Sequence, residues 1–325
     1  MDLYAAGFNA WNQLSFEPPS GDDTEPDDLS TFTKVLGDEH LERPRAGLYY
    51  TLVRGSSKNF CAGKSLDAGD DEQLQQTYRV TQAANGMTLG FDTQQASAKN
   101  IDEKPGGPNQ HALTLYPTYD DFLSKSNSTS WPCQGQVCEV ASFDAGFLVL
   151  YQDGSVATLG DPRYQDCLAR DTSKVPGDQP GLVPDLLDLG DPIKHVTAGG
   201  YCLAALTTSG SLYVWGQKSA GDKRTRHIAF AEVSGMPNYF QVDEDKDVQD
   251  VAFGDGHAIA LTTDGDIYVI GRNGNGQLGL GQDFGVEATR WTKVELDIPD
   301  DSDIVGVAAG PRASFILTSR GTQET

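Results

Sequence analysis

The chain has 325 residues and no uninterrupted apolar run of the roughly 18 or more that a membrane-spanning helix needs. Its first residues lack a basic stretch followed by an apolar one, so no secretory signal is expected. Cysteine is scarce and odd in number: Cys61, Cys133, Cys138, Cys167 and Cys202. That excludes a disulfide framework and points to reduced thiols in the cytoplasm, with the nucleus as an alternative. Cys133 and Cys138 have no second close pair, and a zinc site needs about four ligands, so neither a metal nor a cofactor is expected. Without a secretory signal, Asn127-Ser128-Thr129 reads as a solvated loop rather than a sugar acceptor.

Other absences bear on chemistry. His40, His111, His195, His227 and His257 are scattered without spacing, and no G-x-S-x-G occurs, so nothing supports a Ser-His-Asp enzyme. Basic residues are few: 24 Lys and Arg stand against 47 Asp and Glu, for a net charge of −23. Such a chain is repelled by phosphate backbones, which excludes direct nucleic-acid binding. Acid gathers in "EPPSGDDTEPDD" (17–28), "DEDKD" (243–247) and "DIPDDSD" (297–303). These cannot form core; they are solvated loops or steer a basic partner. One basic island, "KRTRH" at 223–227, is either a solvated loop or a docking spot for an acidic segment. No stretch has the period of a long amphipathic helix.

What is present is a repeat. "VASFDAGFLVLYQDGSVATLG" from Val140, "VTAGGYCLAALTTSGSLYVWG" from Val196, "VAFGDGHAIALTTDGDIYVIG" from Val251 and "VAAGPRASFILTSRG" from Val307 superpose, with starts 56, 55 and 56 residues apart. Gly154, Gly210, Gly265 and Gly321 keep that spacing, as do Gly160, Gly216 and Gly271. Each unit reads as a hairpin. "CLAALTT" and "AIALTT" are buried strands, a glycine turn follows, and "SLYVWG" or "DIYVIG" alternates as a second strand. Small sheets at a fixed period predict a radial array, a β-propeller.

The last unit stops before its second strand, and "MDLYAAGFNAWNQLSF" at 1–16 supplies one. It runs in step with "DIYVIGRNGNGQLGLG" at 266–281, Gly7 on Gly271 and Gln13-Leu14 on Gln277-Leu278. The N-terminal strand therefore completes the blade begun by residues 305–319 and closes the ring, leaving no open edge. "GLYYTLV" (47–53) with "NFCAG" (59–63), and "YRVTQAANGMTLGF" (78–91) with "HALTLYP" (111–117), are worn units. Six blades are counted, and a seventh would have to lie between 64 and 137. One domain is expected over 1–321, with 322–325 as a tail.

The pattern V-x-x-G-x-x-H-x-x-A-L-T-x-x-G-x-[IL]-Y-x-x-G-x-N-x-x-G-Q-L-G, nearly complete in residues 251–281, resembles the regulator of chromosome condensation repeat family. The resemblance implies an all-β, RCC1-like propeller of six or seven blades; members usually have seven. It also implies two functions. In outline the chain is similar to fungal killer-toxin-insensitivity proteins (α-tubulin suppressors), which implies a non-enzymatic partner of a small zinc-binding protein in Elongator-linked tRNA modification and diphthamide synthesis. The alternative is guanine-nucleotide exchange on, or scaffolding of, a small GTPase. The exchange factor has an Asp directly before the His in one unit; here Gly256 precedes His257 and Asp255 lies one place earlier. The other units are read as placing Cys202, Leu148 and Ser314 at that His position.

In a propeller the tips between first and second strands share one face, and variable tips on a rigid scaffold are where recognition sits. Tyr49, Asp144, Tyr201, Asp255, His257 and Arg312 are the expected partner-binding rim, with Trp11 out of pattern at the clasp. His257 is also expected to tie adjacent blades, and "GRNGNGQLGLG" is a blade connection rather than a phosphate loop.

Overall fold

The computed structural model describes residues 1–17, 26–64, 80–91, 112–217, 230 and 233–320. The basic island 223–227, most of the first acidic loop and the tail lie outside them. Six antiparallel sheets stand radially, each entered at its innermost strand.

The first blade is β3 (Arg45–Ala46), β4 (Tyr50–Arg54) and β5 (Asn59–Gly63). The second is β6 (Val80–Gln82), β7 (Thr88–Phe91), β8 (Ala112–Tyr116) and β9 (Thr129–Pro132). The third is β10 (Val137–Phe143), β11 (Gly146–Tyr151), β12 (Val156–Gly160) and β13 (Gly181–Leu182). The fourth is β14 (Ile193–Gly199), β15 (Cys202–Thr207), β16 (Leu212–Gly216) and β17 (Asn238–Tyr239). The fifth is β18 (Val248–Gly254), β19 (His257–Thr262), β20 (Ile267–Arg272) and β21 (Glu287–Lys293). The sixth runs β22 (Ser302–Gly310), β23 (Ala313–Arg320), β1 (Asp2–Gly7) and β2 (Leu29–Gly37). Among the described residues the blades number six, and the worn units are the first and second.

The clasp is as expected. β1 pairs with β23 without interruption, from Asp2 opposite Thr318 to Gly7 opposite Ala313. All six of its residues are buried. Leu3 and Ala5 pack with Phe315, Leu317, Leu41 and Val53, joining the sixth blade to the first. A buried leucine is worth roughly 2 kcal/mol, so the strand contributes several kcal/mol to closure. The N-terminus also supplies β2, the sixth blade's outermost strand, which stands where β13, β17 and β21 stand in theirs.

The glycines have local reasons. Gly210 and Gly265 turn the hairpins at φ of 101° and 85°, open to glycine but strained for other residues. Gly7, Gly63, Gly216 and Gly271 end third strands where a Cβ would fall 2.0–2.3 Å from a carbonyl oxygen of the neighbouring tip. The long apolar runs of second strands follow from burial on both faces. Leu203 packs toward the third blade and Leu206 toward the fifth.

At the foot of the ring the innermost strands share a bulge, between Val137 and Glu139, Ile193 and His195, Val248 and Asp250, and Ile304 and Gly306. In the first three, the residue after it reaches sideways into the next blade. Glu139 accepts the Val196 N–H at 3.2 Å, and Asp250 accepts the Val307 N–H at 2.8 Å. Arg43, on the connector into the first blade, crosses the channel mouth. It donates both Nη2 bonds to Asp250, at 2.8 and 2.7 Å, and lies 3.1 Å from His195 Nε2. His195 Nδ1 is 2.8 Å from Glu139. Four charged or polar side chains thus brace one end of the channel.

Candidate functional site

Chain direction fixes which loops share a face. Each innermost strand rises to its tip, and each third strand rises to the connection leading to the fourth. One face, here the upper, therefore carries all the inner tips and all the third-to-fourth connections. Ten large apolar side chains are exposed among the described residues, and seven lie on these upper loops: Trp11, Tyr49, Leu123, Val175, Met236, Phe284 and Val286. The lower face carries the acidic connectors 243–247 and 297–303 and "DLLDLGD" at 185–191, while Glu17, Asp27 and Asp28 of the first acidic stretch lie on the upper connection after β1.

The upper tips are stitched by backbone. Asn85 N–H donates to the Asp144 carbonyl at 3.0 Å, Asp144 N–H to Gly200 at 2.8 Å, and Asp255 N–H to Pro311 at 3.1 Å. These bonds tie the tips of the second, third and fourth blades to one another, and the tip of the fifth to that of the sixth. Asp144 is half-buried, and burial, then the neighbouring Asp255, pushes its carboxyl above the usual range. Asp255 lies 3.7 Å from Arg272. Tyr201 stacks on Tyr164 with ring centroids 5.0 Å apart, and its hydroxyl is pushed up by Tyr164, by burial and by Asp144. Arg163, held by Asp161 through Nε at 2.9 Å, sits 5.9 Å from the Tyr164 ring. Arg312 is exposed and lies over Phe8 at 5.6 Å. Trp11 meets Tyr49 edge to face at 5.6 Å, with exposures of 42% and 49%.

The structure thus brings Tyr49, Asp144, Tyr201, Asp255, Arg312 and Trp11 to one accessible face. His257 is the correction: it is wholly buried and reaches no partner. Its Nε2 lies 3.3 Å from the Ala313 carbonyl of the next blade, so it ties blades, and burial holds its imidazole down at about 4. The strand register also corrects its counterparts. Ala313 and Gly146, not Ser314 and Leu148, stand at the His257 position, because each pairs with the terminal glycine of its blade as His257 pairs with Gly271.

Sequence reasoning missed Tyr164, Arg163 and Lys64, which lie in loops outside the repeat, and Phe8, just after the clasp strand. It also missed the lower brace. A signal for that was present: Glu139, His195 and Asp250 each directly precede the repeating valine. Cys167 is fully buried and its thiol is pushed up to about 12, so it is an inert core residue. No group of three or more His, Cys, Asp or Glu able to hold a metal occurs among the described residues. A groove of about 210 Å³ beside Trp131, Tyr151 and Pro180 is smaller than the roughly 300–1,000 Å³ of ordinary ligand pockets. The upper face can therefore bind a protein surface through aromatic and charged anchors, and among the described residues it shows no nucleophile with an activating base.

Comparison with known proteins agrees with this architecture. Residues 248–277 and 264–317 match models of the regulator of chromosome condensation (RCC1) repeat. The mouse regulator of chromosome condensation is 35% identical over 160 residues, 49% of this chain and 37% of that protein. The mouse E3 ubiquitin-protein ligase HERC2 is 34% identical over 192 residues, 57% of this chain and 4% of that protein. The chain thus spans well under half the length of these curated relatives. Among solved structures, Prp20p from Saccharomyces cerevisiae superposes with a TM-score of 0.65 at 15% identity, covering 99% of this chain and 92% of that one.

Proposed function

We propose that this chain, a member of the RCC1-like repeat family, is a non-catalytic adaptor that holds a protein partner on the upper face of its propeller. The carrying observation is the asymmetry of the two faces: seven of the ten exposed large apolar side chains among the described residues lie on the upper loops, whose tips are stitched to one another. Aromatic side chains and arginine are the usual anchors of protein interfaces. A small zinc-binding protein serving Elongator-linked tRNA modification and diphthamide synthesis is the first partner to try, on the resemblance in outline. The proposed setting is the cytoplasm, with the nucleus as an alternative.

A second reading, exchange on or scaffolding of a small GTPase, is favoured by the 35% identity to the mouse regulator. Prp20p, whose fold this chain shares, binds Gsp1p and histones, which suggests the kind of partner. Against it, the acid lies two residues before His257 rather than one, and that histidine is buried. Crosslinking mass spectrometry on the tagged chain in lysate tests the first reading. Crosslinks should fall on upper loops and be lost in Tyr201→Ala/Arg312→Ala, with stability within about 1 kcal/mol of the parent. Crosslinks confined to the lower connectors sink it, and a GTPase retained only when nucleotide is stripped moves the second reading to first.

A further inference from the structure

We infer that the upper seam between the sixth and first blades docks an acidic peptide segment bearing an aromatic anchor. This rests on the upper-face reading and names the chemistry of the partner. The turn from Asn9 to Leu14 repeats that from Asn273 to Leu278 bond for bond. Leu14 N–H donates to Asn9 Oδ1 at 2.9 Å, and Leu278 N–H to Asn273 Oδ1 at 3.0 Å. Trp11 N–H donates to Gln13 Oε1 and Asn275 N–H to Gln277 Oε1, both at 2.9 Å. The side chain of the third residue of this turn is therefore free of any duty in forming it.

In the fifth blade that residue is Asn275, whose side chain donates to Asp28 at 2.9 Å. In the sixth it is Trp11, whose indole N–H makes no hydrogen bond with a described residue. The turn is nevertheless held rigid against the first blade, because Gln13 Nε2 donates to the Leu48 carbonyl at 3.2 Å. Trp11 and Tyr49 thus present two fixed rings at 83°, a corner into which a flat or branched side chain fits. Rigid aromatics lose little entropy on binding and bury large area, as interface anchors do.

Charge names the rest of the ligand. Lys64 Nζ lies 5.2 Å from the Trp11 ring and Arg312 lies over Phe8. Neither cation has an acidic partner among the described residues, in a chain with 47 carboxylates to 24 basic side chains. Asp28, on the same loop, is turned away: its oxygens accept from Asn9 N–H and Asn275 Nδ2. Among the described residues, Lys64 and Arg312 with Trp11, Tyr49 and Phe8 make the seam cationic and aromatic, complementary to acidic residues flanking a ring.

The test is fluorescence anisotropy of a labelled peptide Asp-Glu-Phe-Asp-Glu-Leu against the full chain. Saturable binding is expected, weakened at least tenfold by Trp11→Ala, by Lys64→Glu/Arg312→Glu and by replacing the peptide's Phe with Ala. It should also weaken as salt rises, and the variants should melt with the parent. Unchanged binding in both variants overturns the inference, as does equal binding of a peptide with Lys at the acidic positions. So does concentration-dependent dimerisation abolished by Trp11→Ala, which would make a second copy the occupant. Crosslinks to a partner elsewhere on the upper face, insensitive to Trp11→Ala, sink this inference and leave the adaptor reading standing. Crosslinks on the lower face sink both.

Discussion

The seam between the fifth and sixth blades and the seam between the first and second do the same job with different materials. At the former, Ile259, Leu261, Val269, Val307, Ile316 and Tyr4 form a continuous apolar layer. Asp250 ties the foot through Val307 N–H, and His257 ties the top through Ala313. At the latter, the innermost strands have two and three residues, and Arg45 Nη1 donates to the Val80 carbonyl at 3.2 Å. The repeat signature is strong where both faces of a blade are buried by regular neighbours and worn where they are not. Fidelity of the motif therefore follows packing around the ring rather than position along the chain.

Four changes test that contrast, from the largest effect to the smallest. Deleting residues 1–14 removes a fully buried strand and should abolish cooperative unfolding, read by calorimetry. A deletion that melts with the parent would show that closure does not depend on the clasp. Asp250→Ala leaves the Arg43 guanidinium unpaired beside His195 and the Val307 N–H without its acceptor. It should destabilise by about 3 kcal/mol in denaturant unfolding, as for a partly buried pair losing one member.

The buried His257 gives the contrast a pH signature. Its folded value of about 4 lies below the ordinary histidine value of 6.5. The unfolded chain therefore binds the proton first as pH falls. The stability carried by neutral His257 is complete above about 6.5 and is lost on the way down to about 4, roughly 3 kcal/mol in all. His257→Gln should flatten that part of the stability–pH curve; an unchanged slope would remove His257 from the tie. Arg45→Ala should move global stability by less than about 1 kcal/mol while speeding amide exchange locally in β4 and β7. A large global loss would show the first seam to be as tight as the fifth.

The ring was legible where chemistry repeats. Apolar second strands, turn glycines and terminal glycines each answer to a local need met again in every blade, and the clasp follows from Gly7 sharing the need of Gly271. Arg43, Tyr164 and Lys64 were not legible, because each acts once, and β2 was not, because the outermost strands lie beyond the glycine-bounded part of the repeat. Nothing in "DEHLERP" says that its arginine crosses a channel to Asp250, a contact made by ring closure over more than two hundred residues of chain. The rim positions were found because turn placement follows from strand direction. His257 was misplaced on the rim because spacing locates a residue along a strand and leaves open how deeply it is covered.

The pairing of β1 with β23 joins residues such as Asp2 and Thr318 across a separation of 316. On a ribosome adding roughly 5–20 residues per second, β1 waits on the order of a quarter-minute to a minute for its partner. During that time a wholly apolar stretch, "LYAA", stands outside with an unpaired edge, while the fifth blade is already built. Closure of this ring is therefore gated by the synthesis of β23. A chaperone that shelters residues 1–15 would act on the step that decides yield.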